Sequence, residues 1–499
     1  MYISSPRVAD IHGVLLLRST IQTSPTKSLL VPTITALNTL QTIALHHSLR
    51  VPVLLNSSPS SRKSLFLSHL AQELHPQSRN HILTLHLADT SLDARSLMGY
   101  YISSKTNPGT FEWKEGVRVR AMRDGKWVVL KDIDRSSSEN LGVLRPLVES
   151  CKLGEWVGGQ ASLDVPGRGV VVASHDFSIF ATRSLTPSRS GTFPSPVLLG
   201  SHNFVEIVAR SPSEEDIRAI IDVRYPRLSY GGISSAIIRL WEDIRRLGSV
   251  ASTREIHLRE LEKYCARLHN LVPSTPQAMD VDEAMLGSLL PNDSLREEFF
   301  LAARDVFFGA GYITAAAQAH SERIADLVAK HLRIESERQD WLSNRWIPDF
   351  DTETDVNGKT TSIRIGGTRL NALPLIRSTQ ESRSRPFALH RPAKLLLSRI
   401  ASAVALGETL LLTGETGTGK TSVITYLASV LRHPLVSLNL SHQTESSDLL
   451  GGFKPIDSRI AAAELQDQFV ELFGLTFNRR KNEKFETEVR KAVSETKWK

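Results

Sequence analysis

The sequence predicts an α/β protein built from two tandem modules, each a parallel sheet flanked by helices, and three observations carry that prediction. Residues 53–74 (VLLNSSPSSRKSLFLSHLAQEL) and 410–431 (LLLTGETGTGKTSVITYLASVL) are two versions of one segment, 357 positions apart. Each runs from an apolar stretch through a loop into an amphipathic stretch and then a second alternating run, the strand–helix–strand order of a parallel sheet. The second loop also satisfies the phosphate-loop pattern GxxxxGK[ST] in full.

Taken in order, Val14-Leu15-Leu16-Leu17 is too short for a signal sequence and reads as a buried strand. Ile82–Leu87 alternates as a strand, and Trp127–Leu130 and Gly169–Ala173 are apolar strand-like runs. After Pro226 the pattern turns helical, with Ile237, Leu240, Trp241, Ile244 and Leu247 on one face, then Leu261, Tyr264, Cys265 and Leu268. Residues 273–293 read as a surface loop, a further helical block runs to about Ser343, and residues 361–370 read as a β-hairpin. The polar run Arg377–Arg385 reads as a linker. The second copy then supplies a strand at Thr409–Leu412, a helix with Val423, Leu427 and Leu431 on one face, and a strand at Val436–Leu440. These boundaries give a first module over 1–270, a helical segment, hairpin and linker over 271–385, and the start of a second module over 386–499.

The two loops differ in chemistry. In the second, Gly414, Gly417 and Gly419 let the backbone curl so that successive N–H groups, from Glu415, Thr416 and Thr418 among others, face phosphate oxygens. Lys420 supplies charge for the β- and γ-phosphates of ATP, and the Thr421 hydroxyl can complete a Mg²⁺ shell. In the first copy, Lys63 and Ser64 survive, but Ser57 and Arg62 replace the two glycines of the pattern and Pro59 removes an amide donor. The acidic motif expected after the third strand reads Lys131-Asp132-Ile133-Asp134, with a lysine at its first acidic position. A degenerate first site beside an intact second one is the expectation.

The string GETGTGKT followed by LNLSHQTESSDLLGGFKP resembles the second AAA+ module of the midasin family, dynein-like ATPases of large-ribosomal-subunit assembly. Gly109–Trp113, Gly125–Leu130 and Phe177–Thr182 resemble that family's first module. The resemblance implies tandem AAA+ P-loop modules, each with a helical lid, the first with a core over about 14–210 and a lid over about 211–270. It places Asp132 where a water-activating glutamate would stand, Ser184 at the sensor position, Asn203 in place of an arginine finger and Arg254 as a candidate sensor arginine. It implies an ATPase that remodels pre-60S particles for assembly and nuclear export, in nucleolus and nucleoplasm, together with the remaining AAA+ modules of a ring. RNA contact would be indirect or weak. Counting from the first copy, the second Walker-B motif is due near residues 485–489, where a charged helix-like run stands instead, so the second module is expected to be truncated.

Composition narrows the alternatives. Hydrophobic residues at 41% and charged residues at 23% exclude a wholly disordered or collagen-like chain. Two cysteines exclude a disulfide framework or zinc cluster and point to an intracellular protein, and no apolar run is long enough to span a membrane. The net charge of +7 permits acidic partners without arguing for them. The sixteen histidines show no metal-ligand spacing, and Arg479-Arg480-Lys481 reads as a solvated face. A stand-alone P-loop ATPase or nucleotide kinase, or a non-catalytic AAA+-like scaffold, are the competing readings.

Overall fold

The computed structural model describes residues 7–19, 30–58, 61–78, 80–88, 97–103, 111–151, 161–165, 169–184, 204–251, 256–272, 286–290, 292–308, 315–354, 360–373, 387–441, 444 and part of 465–494. One compact unit runs to Ile334 and a second begins at Glu335.

The first unit opens with a hairpin, β1 (Val8–Ile11) and β2 (Val14–Leu17), followed by α1 (Ile34–Ser48), whose first turn is capped by the Thr33 hydroxyl. β2 is the expected strand but not a buried one. It alternates in a two-stranded ribbon, so Leu16 is covered while Leu15 and Leu17 face outward. Behind the hairpin lies the main sheet, formed by β3 (Val53–Ser57), β4 (Ile82–His86), β7 (Trp127–Lys131), β10 (Ser178–Ser184) and β11 (Val205–Val208). All pair in parallel, in the spatial order β11-β3-β10-β7-β4. Helix α2 (Lys63–Leu74) connects β3 to β4. A ribbon of β5 (Gly99–Ser103) and β6 (Phe111–Glu115), then α3 (Val117–Arg123), lead into β7. Helix α4 (Ser138–Ser150) follows β7.

The central strands are apolar on both faces because both faces are covered, as parallel sheets require. Leu54, Val128, Leu130, Ile179 and Ala181 meet Met122 of α3 and Leu141, Leu144 and Leu147 of α4. Val53, Leu55, Trp127, Val129 and Phe180 meet Leu40 and Ile43 of α1 and Leu67 and Leu70 of α2. The run at Gly169–Ala173 does not enter this sheet. Its strand β9 (Gly169–Val172) pairs antiparallel with β8 (Ser162–Val165), leaving Val170 and Val172 exposed, and the place beside β3 goes to Ser178–Ser184.

Among the described residues, five α-helices complete the unit: α5 (Glu214–Arg224), α6 (Ile233–Ala251), α7 (Leu258–Leu271), α8 (Asp293–Phe307) and α9 (Ala315–Leu332). α5 begins with a reciprocal capping box between Ser213 and Asp216. The boundary expected at 270 falls inside this helical body. Tyr264 and Cys265 of α7 and Phe299 and Phe300 of α8 are all fully buried, with the Tyr264 ring 5.2 Å from that of Phe307 and its hydroxyl donating to the Phe299 carbonyl at 3.4 Å. The expected surface loop also contributes to this interior: Leu286, Leu289 and Leu290 are buried, and Gly287 lies so close to the Leu332 carbonyl that a side chain would overlap it.

The second unit begins with a three-stranded antiparallel sheet of β12 (Phe350–Thr354), β13 (Thr360–Ile365) and β14 (Thr368–Asn371). It packs on α10 (Arg391–Ala405) through Ile363, Ile365, Leu370, Leu397 and Ile400, and α11 (Lys420–Leu431) joins the same core through Val423, Leu427 and Leu431. The hairpin therefore belongs to the second module rather than to a connecting segment. α10 repeats α1 at the same offset of 357, and its hairpin repeats β1–β2. The turns His12-Gly13 and Gly366-Gly367 both have positive φ at the two central positions, the backbone that suits a twisted two-strand ribbon.

The expected strands at Thr409–Leu412 and Val436–Leu440 pair with no described residue; Leu411, Val436, Leu438 and Leu440 are 67–84% exposed. The first module supplies the reason. There β3 and β4 are not neighbours but are held by β10 and β7, and no described strand takes those places beside the second loop. Among the described residues no parallel sheet forms beside the second loop, and residues 483–494, expected as a helix-like run, form helix α12.

Candidate functional site: two phosphate-type loops

The second loop stands at the N-terminus of α11. Gly414, Gly417 and Gly419 have φ of +151°, +84° and +82°, values that L side chains adopt only at a cost, so the glycines are required by the loop's shape. Gly419 caps α11, and the first N–H groups of a helix have no partner within it, which leaves them directed at whatever lies before Lys420. Lys420 Nζ donates to the Gly414 carbonyl at 2.8 Å, to the Glu415 carbonyl and to Thr418 Oγ1 at 3.3 Å, while Thr418 donates to the Glu415 carbonyl at 2.9 Å. Among the described residues this ammonium meets neutral oxygens only. A cation, a helix N-terminus and a glycine cradle thus converge with no anion supplied by the described protein, the donor set that suits a polyphosphate.

The first loop enters its helix through the same left-handed turn, but without the glycine. Arg62 stands at the position of Gly419 and has φ +63°, ψ +24°, against +82° and +13° for the glycine. A left-handed arginine costs about 1–2 kcal/mol, so the surrounding contacts hold this shape. Lys63 Nζ donates to the carbonyls of Ser57 (3.3 Å) and Ser58 (3.5 Å), the counterparts of Gly414 and Glu415. Two further bonds, to the Arg183 carbonyl at 3.1 Å and Ser184 Oγ at 3.3 Å, tie it to the end of β10. Burial pushes the Lys63 ammonium below its ordinary value, and Asp132 and Asp134 partly oppose that.

Asp132 and Ser184 are thus brought together around Lys63 at the carboxyl ends of the strands, where parallel sheets present their ligand sites. Asp132 itself takes a left-handed conformation, φ +53°, as the chain leaves β7. Arg254, Asn203, Pro59 and Arg479-Arg480-Lys481 lie outside the described residues, as does nearly all of Gln443–Pro455. Thr421 is exposed in the first turn of α11.

The sequence reading missed Glu262. Arg62 reaches across to this α7 carboxylate, which Arg224 Nη1, at the end of α5, also contacts at 2.8 Å; Tyr225 Oη donates to the Glu262 carbonyl at 3.2 Å. The only signal for it was an arginine standing where the loop pattern has glycine.

A parallel sheet with loop and helix at its carboxyl edge, followed by a helical body, defines a P-loop protein of the AAA type. The family model for the dynein-related AAA domain matches residues 53–198 and again 409–468, and that for the midasin AAA lid domain matches 216–335. Midasin of Dictyostelium discoideum is 27% identical over 94% of this chain, and midasin of Giardia intestinalis 27% identical over 89%. The chain belongs to the midasin family, and it spans about 8% of the length of each of those two relatives. Two solved structures of NtrX from Brucella abortus, one in complex with ADP, align at 15% and 16% identity over 63% and 62% of this chain and 69% and 68% of theirs. Their TM-scores of 0.33 and 0.31 are too low to bear on the chemistry.

Proposed function

We propose that this chain contributes one ATP-binding loop and one nucleotide-free module to a midasin-type ATPase. The observation that supports it is the contrast at a single equivalent position: Gly419 in the second loop, Arg62 in the first. In the second loop the backbone amides, Lys420 and the start of α11 would hold the triphosphate, and Thr421 would bind Mg²⁺, which when bound neutralises charge on the β- and γ-phosphates. In the first loop Lys63 is committed to four protein oxygens, and the lysine at 131 opposes a metal there.

Kinship with the midasins, and the likeness of the loop and its downstream segment to that family, support a role on pre-60S particles in the nucleus, alongside further AAA+ modules. Calorimetric titration with ATP tests the site assignment. Lys420→Ala should abolish binding and Lys63→Ala should leave it unchanged; equal losses would refute it. Imaging of a tagged gene product and sedimentation with pre-60S particles test the cellular role, and a steady cytosolic signal without co-sedimentation would overturn it.

A further inference from the structure

We infer that the Arg62–Glu262–Arg224 cluster is a built-in latch that fixes the first module's loop to its helical lid, doing without a ligand what a bound nucleotide would otherwise do. This rests on the reading of the first site as nucleotide-free. Arg62 caps α2 at the loop, Glu262 lies on α7, and Arg224 closes α5, so one carboxylate gathers three elements. Arg62 and Glu262 are 200 positions apart, and their side chains are only 13% and 22% exposed. The pair is therefore largely removed from water, where charged hydrogen bonds are strongest.

Two further observations give the cluster a role beyond a surface ion pair. Arg62 keeps a strained left-handed backbone that glycine would take freely, and its guanidinium carries the contact to the lid. The second loop has Gly419 there, with no side chain to reach anything. The same substitution thus removes the glycine a phosphate needs nearby and supplies a positive group already satisfied by the lid. Glu262 is held between the two guanidiniums.

The test uses hydrogen exchange on the whole 499-residue chain carrying Lys420→Ala, which confines any nucleotide effect to the first module. Arg62→Gln and Glu262→Gln should each speed exchange in α7 and the first turn of α2 by about ten-fold or more, as expected for loss of a charged hydrogen bond. The double variant should be no worse than Glu262→Gln alone, which already releases both Arg62 and Arg224, and β7 should be unaffected. Additive effects, or acceleration in β7 equal to that in α7, would show an ordinary stabilising contact and overturn the latch. Saturating ATP should leave α7 exchange unchanged in the parent. Protection of α7 by ATP there would instead overturn the nucleotide-free reading, an outcome separate from the coupling between the two residues.

Discussion

His47 should make the first unit's stability depend on pH between about 4 and 6.5. Its ring lies against Trp127, centroids 4.8 Å apart, and its Nδ1 shares a hydrogen bond with the Ser178 hydroxyl at 3.1 Å. Burial, helped by His75, Arg50 and His81 and opposed by Asp176, lowers its pKa from 6.5 to about 4. The unfolded chain therefore binds a proton on this ring at pH 5 that the folded chain refuses. The stabilisation is complete above about 6.5 and lost as pH falls through the window. Between pH 7 and pH 5 this one group accounts for about 2 kcal/mol of lost stability. His81, stacked on His75 at 3.4 Å and also lowered to about 4, acts in the same direction. Urea unfolding followed by Trp fluorescence at the two pH values, on the parent and on His47→Phe, measures the difference. The substitution also removes the hydrogen bond with Ser178, a pH-independent loss, so the comparison is of slopes. An unchanged slope in His47→Phe would refute the argument.

Steady-state ATP turnover by this chain should sit near background, because the strand that carries Asp132 in the first module has no described counterpart beside the second loop. Robust turnover abolished by Lys420→Ala would reveal a carboxylate that this reasoning overlooks. Gly287→Ala should destabilise the helical lid by about 1–3 kcal/mol, since its methyl meets the backbone oxygen of Leu332 rather than a movable side chain; a denaturation midpoint equal to the parent's would contradict this. A recombinant second module begun at residue 386 should be less soluble than one begun at 345, because it strips Ile363, Ile365 and Leu370 from Leu397 and Ile400. Equal soluble yields would argue that the hairpin is dispensable.

Local signals were legible in the sequence and long-range ones were not. The glycine loop, its lysine and the apolar face of α11 are written in one continuous stretch from Gly414 to Leu431, and its offset from the first copy exposed the repeat. The same offset carries through α1 and α10, where buried Ala36, Leu40, Ile43 and Ala44 coincide with Ala393, Leu397, Ile400 and Ala401 while most of the residues between them differ. Strand order was out of reach. Gly169–Val172 and Ser178–Ser184 compete for one place in the sheet, and a run of valines outscores a strand containing Thr182 and Arg183 unless the neighbours are known. The end of the lid was hidden by the low-complexity sequence after Val272, which separates α7 from α8 along the chain. Glu262 could not be found because nothing local distinguishes one helix glutamate from the next; its importance comes from an arginine 200 positions away.

The spatial order of the main sheet has a consequence for how the chain comes together. β3 and β4, made first, do not touch; β7 can dock only on β4, and the two halves stay separate until β10 slides between β3 and β7. The sheet's middle strand is thus one of the last to be synthesised, and Lys63 meets the end of it across a separation of 120 positions. Contacts of such long range make for slow folding with exposed intermediates. Ser178–Ser184 acts as the keystone: a lesion there should stall assembly of the module during synthesis, even where the finished structure would tolerate it.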